Sequence, residues 1–236
     1  MKNIIIPTDF SDNAMNAVRF ALELFKYEKT EFYFLNTYED DVYNNEELLE
    51  GEPFDEVVEM TKNKSELKLE LLLNEVKSIA PHPRFKYHTI SAYNSLIDEL
   101  DKLVIGKDID LIVMGTKGEG YAQTYAFGSN TLQVLKYVSC PVLVIPRFYG
   151  YKQPKHVVFP TNYLIPYKRR EIKLLSTMLA PFRAVLDVLY ISKSKHISKR
   201  QNDNKLYLEE GLQNIKVNYE HVESKNVSKV INDYAS

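Results

Sequence analysis

Asp110-Leu111-Ile112-Val113-Met114-Gly115-Thr116-Lys117-Gly118, followed nine residues later by Gly128-Ser129-Asn130, is the stretch on which the reading of this chain turns. After Asp110, residues 111–114 form a short, continuous apolar run, the pattern of a strand buried on both faces of a parallel sheet. Glycines follow directly, and helical spacing resumes at Ser129 and continues to Tyr137. A strand that passes through a glycine-bearing loop into a helix puts the loop at the C-terminal edge of an α/β sheet, where such sheets bind ligands. Glycines let the backbone approach a polyphosphate closely. The free N–H groups of the helix start, with Ser129, offer donors to an anion. The physical expectation is an anion site.

Two better-known nucleotide motifs are excluded. A P-loop needs Gly-Lys-Ser/Thr at the helix start, and here Gly128 is followed by Ser129-Asn130. A dinucleotide fingerprint would need a third glycine three residues after Gly120, where Gln123 stands.

Working outward, Ile4-Ile5-Ile6 is a β-branched run ending at Pro7-Thr8-Asp9. Ser11 or Asp12 can cap a helix whose apolar positions Ala14, Ala17, Val18, Ala21, Leu22 and Phe25 share one face. Strand patterns at 32–38 and 85–90 flank a helix at 54–78 that ends at Pro81-His82-Pro83. Residues 39–59 carry many carboxylates and no lysine or arginine, as a solvated surface does. A short helix at 94–102 turns Leu96, Ile97 and Leu100 inward, and residues 141–146 form a fifth strand. Alternating strands and helices predict an α/β fold: an open parallel five-stranded sheet, Rossmann-like, with helices on both faces and right-handed crossovers.

Beyond a linker at 147–154 the opening recurs. Val157-Val158-Phe159-Pro160-Thr161-Asn162 repeats Ile4 to Asp9 at an offset of 153 residues. A helix at Arg169–Leu179 and a strand at 184–191 keep the correspondence, and the copy then diverges, with a helix at 205–212, a strand at 217–222 and a helix starting near Val227. The expected organisation is one domain over 1–147 and a truncated or degenerate second copy over 155–236, with three strands of its own. Ser236 falls level with about residue 102, so counterparts of the fourth strand, the glycine loop, the last helix and the fifth strand are expected to be missing.

Composition narrows the function classes. With 30 basic and 32 acidic side chains the formal net charge is −2, which argues against a nucleic-acid surface. Cys140 is the one cysteine, so no intrachain disulfide and no cysteine-based zinc site is expected. No signal peptide or membrane-length apolar segment is visible, and a cytoplasmic protein is expected. The five histidines show no metal-ligand spacing, and no Gly-x-Ser-x-Gly elbow is present.

The pattern glycine, two residues, glycine, nine residues, glycine, serine resembles that of the ATP-binding branch of the universal stress protein family. So do the strand ending in Asp9, with its serine and alanine-rich helix, and the closing Cys140-Pro141-Val142-Leu143-Val144-Ile145-Pro146. The resemblance covers nearly all of residues 1–147 and, more weakly, about 80 residues of the second copy. It implies an adenine nucleotide alpha hydrolase-like sheet that binds ATP or AMP, with Mg2+ as an accompanying ion. Pro7, Thr8 and Asp9 would lie beside adenine and ribose, and Thr37 would contribute to the adenine pocket. Met114 and Gly115 would line the floor, while Gly118, Gly128, Ser129 and Asn130 would hold ribose and phosphates. From its position, Lys117 would add a charge near the phosphates. Tyr121, Tyr125 and Phe127 are bulky for a phosphate-covering loop. Asn162 replaces the aspartate in the second copy, which is expected not to bind nucleotide.

The family also implies pairing through the last strand, as a homodimer or between the two copies, and an output set by nucleotide-dependent conformation or assembly. A slow ATPase or nucleotide hydrolase, with Asp9 as its only candidate base, and a scaffold with an empty pocket are the alternative readings.

Overall fold

The computed structural model describes residues 1–116, 128–193 and 196–235, and the chain divides into two compact units, Met1–Tyr151 and Lys152–Ser236. Lys117, Gly118, Tyr121, Tyr125 and Phe127 lie outside the described residues.

The first unit runs β1 (Lys2–Pro7), α1 (Asp12–Leu24), β2 (Thr30–Thr37), α2 (Glu39–Tyr43), α3 (Glu46–Leu49), α4 (Phe54–Ile79), β3 (Phe85–Ala92), α5 (Leu96–Gly106), β4 (Leu111–Gly115), α6 (Ser129–Tyr137) and β5 (Val142–Ile145). Its five strands are parallel in the order β3-β2-β1-β4-β5. The chain steps outward from β1 to β3 and then crosses back to β4, so the direction reverses between β1 and β4. That is the switch point at which a doubly wound sheet opens a crevice at its C-terminal edge.

Ile4, Ile5 and Ile6 are all fully buried, as a central strand covered on both faces requires. Ile5, Leu35 and Ile112 pack with Leu100 and Leu103 of α5 and Val134 of α6 on one face, while α1 and α4 lie against the other. The Ser11 hydroxyl accepts the Ala14 N–H at 3.2 Å and so decides between the two candidate caps of α1. Helix α5 starts two residues later than the apolar spacing suggests, because Ser95 caps it. It also runs to Gly106, because Leu103 extends the buried stripe.

The second unit contains β6 (His156–Thr161), α7 (Arg169–Leu179), a 3-10 turn (Ala180–Phe182), β7 (Val185–Ser192), α8 (Lys199–Gly211), β8 (Lys216–Glu223) and α9 (Val227–Ala235). Its three parallel strands, in the order β6-β7-β8, repeat the β1-β2-β3 half of the first sheet and form a partial second copy. Helix α8 starts six residues before the expected 205. Ser198 and Gln201 form a capping box there: the Gln201 N–H donates to the Ser198 hydroxyl at 3.3 Å and the Ser198 N–H to Gln201 Oε1 at 2.8 Å. No described helix is long and apolar enough to cross a membrane.

The duplication extends to the turn after the first strand. Pro7 pairs with Leu35 and Pro160 with Leu189, so the registers match. Phe10 and Tyr163 both adopt left-handed backbone, with φ of 65° and 55°. The Phe10 N–H donates to Thr8 Oγ1 and the Tyr163 N–H to Thr161 Oγ1, each at 2.9 Å.

Candidate functional site

A crevice of about 1120 Å3 opens at the C-terminal edge of the first sheet, slightly above the ~300–1,000 Å3 common for small-molecule sites. Pro7, Thr8, Asp9, Thr37, Met114, Gly115, Gly128, Ser129 and Asn130 all line it. Of the ten candidate residues, Gly118 alone lies outside the described residues.

The parallel sheet brings these positions together although more than 100 residues separate Asp9 from Gly128. Thr8 leaves β1 with its N–H donated to the Leu35 carbonyl at 2.8 Å. Asp9 Oδ1 accepts the Ser11 N–H at 3.0 Å, so one carboxylate oxygen braces the turn while the exposed side chain borders the crevice. Asp9 thus braces its own turn in a place where a ligand can also reach it.

Across the crevice stands the start of α6. Helices α1 and α5 are capped by the hydroxyls of Ser11 and Ser95, but the capping position of α6 is Gly128, which has no side chain to offer. Its N–H is held by the Thr116 carbonyl, and Thr131 Oγ1 donates to the Gly115 carbonyl at 2.9 Å. Ser129 and Asn130 are exposed at the crevice with the positive end of the helix dipole behind them.

Gly115 is closely packed. A Cβ placed on it would stand 2.2 Å from Asn13 Nδ2 and 2.6 Å from Asn13 Cγ, so a side chain at the end of β4 would force the Asn13 carboxamide to shift. Asn13 belongs to the crevice although the sequence reading passed over it, as do Asn36, Lys64, Ser65 and Lys68. One signal was available: the buried stripe of α4 is Val57, Thr61, Ser65, Leu69, Leu72 and Val76, and its polar members mark where the helix meets something polar. Lys68 places its ammonium 5.1 Å from the centroid of the Phe10 ring.

The corresponding place in the second unit is filled. Tyr163 and Tyr190 are 3% and 7% exposed, with ring centroids 5.2 Å apart, and the Tyr167 and Thr161 hydroxyls share a hydrogen bond. Burial pushes the Tyr163 phenol well above its ordinary pKa, with Tyr167 as the next contributor. Asn204 and Gln201 of α8 donate to the Tyr163 and Asn162 carbonyls at 2.7 and 2.8 Å.

Comparison with known proteins identifies the family and the fold. The sequence profile of the universal stress protein family matches residues 1–146. The chain belongs to the universal stress protein family. Universal stress protein MJ0531 of Methanocaldococcus jannaschii is 31% identical over 146 residues, which span 62% of this chain and 82% of the relative. The solved structure of MJ0577, from the same organism, superposes with a TM-score of 0.50 at 26% identity, covering 63% of this chain and 98% of that one. A universal stress protein from Archaeoglobus fulgidus shares the fold over 99% of this chain and 84% of its own, with a TM-score of 0.67 at 15% identity. The universal stress protein fold therefore extends beyond the family match and into the second unit.

Proposed function

We propose that the first unit binds an adenine nucleotide, ATP or AMP, and that the protein acts in a stress response through a conformation or assembly state set by that nucleotide. The observation that carries this reading is the convergence of the Asp9 turn and the side-chain-free cap of α6 on one crevice. A carboxylate at one side suits ribose hydroxyls or an adenine amine, which donate. Free helix N–H groups at the other suit phosphate oxygens, which accept. The family resemblance in the glycine pattern supplies the adenine.

Among the described residues no group of three or more His, Cys, Asp or Glu is arranged to hold a metal ion. Mg2+ accompanying ATP would then take most of its ligands from phosphate oxygens and water, with Asp9 among the carboxylates that line the crevice. In the assembly half of the proposal, β5 lies at the edge of the first sheet, with Val142, Leu143 and Val144 half-buried, and offers its outer edge to a partner strand.

Isothermal calorimetry of the full chain with ATP and with AMP tests the proposal. We expect saturable binding of at least one, weakened about 10–100-fold by Asp9→Ala, the range for losing a hydrogen bond to a charged group. Absence of heat with both nucleotides overturns it. Turnover of ATP that disappears in Asp9→Ala would instead favour the hydrolase reading.

A further inference from the structure

Asn36 lies on β2 one residue before Thr37 and is 7% exposed. Both ends of its carboxamide are engaged. Nδ2 donates to the Thr8 carbonyl at 2.8 Å, and Oδ1 accepts from the Ser65 hydroxyl at 2.7 Å. Ser65, 4% exposed on α4, in turn accepts from the Ser91 hydroxyl of β3 at 2.8 Å. Because a carbonyl can only accept, the chain has one direction: Ser91 to Ser65 to Asn36 to Thr8. It ends on the peptide group that joins Thr8 to Asp9.

Among the described residues, the other hydrogen bonds that close the turn after it are short-range. The turn from Thr8 to Ser11 contains a left-handed Phe10 and is closed by short-range bonds, Phe10 N–H to Thr8 Oγ1 and Ser11 N–H to Asp9 Oδ1. A non-glycine residue in the left-handed region persists only when its surroundings hold it there. The Asn36 bond is the long-range tie that anchors this turn from the side chains of the sheet.

The second unit serves as an internal control. By strand register Tyr190 occupies the place of Asn36, and its ring packs on Tyr163. Asn162 stands where Asp9 does, and the turn is held instead by Gln201 and Asn204 from α8. Asparagine at this position accompanies the open crevice and the aspartate; tyrosine accompanies the filled one.

We propose that Asn36 is the positioning residue of the nucleotide site. It fixes the Thr8 carbonyl, and through it the orientation of the Asp9 carboxylate, with Ser65 and Ser91 locking its amide. This rests on the nucleotide reading for its consequence but not for its geometry, and the test separates the two. In ligand-free protein, Asn36→Leu keeps the volume and removes both bonds. The Phe10 and Ser11 amides should then exchange hydrogen about tenfold faster, while amides at the N-terminal ends of β1 and β2 keep their wild-type rates. Ser65→Ala, which leaves Asn36 in place, should shift the same two amides in the same direction by a smaller factor, and serves if the leucine variant does not fold.

With ATP as the probe, Asn36→Leu should weaken binding about tenfold in the wild-type background, and by a factor near one when Asp9 is already alanine. A purely structural role would give the same loss in both backgrounds. Unchanged exchange at Phe10 and Ser11, or equal losses with and without Asp9, overturns the assignment. If wild-type protein binds neither ATP nor AMP, the nucleotide reading fails and the exchange experiment alone decides the role of Asn36.

Discussion

Gly115 and Asn13 set the floor of the crevice by steric fit. The Asn13 carboxamide occupies the space a Cβ on Gly115 would take, 2.2 Å from Nδ2. Asn13 is itself 7% exposed, on the first turn of α1, so it has little room to withdraw. We expect Gly115→Ala to cost about 1–3 kcal/mol by overpacking, read as a fall in the urea midpoint with unchanged m-value. An unchanged midpoint would mean that Asn13 moves aside freely. The glycine at 115 was visible in the sequence only as part of a ligand-binding pattern. Its close packing depends on a residue 102 positions away, which no local pattern reveals.

Among the secondary-structure elements, the β2–β3 pair carries a polar cluster at the end of the sheet away from the crevice. Glu31 pairs across the strands with Lys86, whose ammonium lies 2.8 Å from Oε1, while the Tyr33 hydroxyl and His88 Nε2 reach Oε2 at 3.0 and 3.1 Å. The Lys86 hydrogen bond leads in holding the Glu31 carboxyl below its usual pKa, against the opposing effect of burial. A lowered folded-state pKa contributes stability that is fully present above the unfolded value of about 4.3, and that is lost as pH falls through the folded value. Glu31→Gln should therefore melt below wild type near pH 6, with the gap closing as pH approaches about 3. A gap that stays constant or widens in acid would contradict this. Helices such as α6 are set by local pattern and came out of the sequence with the right bounds. The start of α8 did not: Ser198 and Gln201 were readable as a cap, but the weak apolar periodicity of the helix drew attention to its later half.

For the molecule as a whole, the two copies share a turn and differ in what surrounds it. The backbone of the Thr-Asx-aromatic turn is the same in both, yet Phe10 borders an open crevice while Tyr163 is buried against Tyr190. Restoring the carboxylate alone should not create a second site. We expect Asn162→Asp to leave the stoichiometry at one nucleotide per chain by calorimetry, and Asp9→Ala to weaken that single site. A second equivalent bound by Asn162→Asp would show that the tyrosines yield, and would sink the claim that the second crevice is filled.

The apolar runs, the amphipathic helix faces and the recurrence of Ile4 to Asp9 at Val157 to Asn162 were determined by sequence alone, because strand burial and helix amphipathicity are periodic and local. They sufficed for the parallel sheet, its helices and the partial copy. Tertiary structure decided what is not local: that Asn13 packs against Gly115, that Ser91, Ser65 and Asn36 converge on Thr8, and that Tyr190 rather than an amide faces the second turn. Contacts of that kind arise between side chains from different strands and helices. Their partners are fixed only when the sheet order β3-β2-β1-β4-β5 brings distant strands side by side.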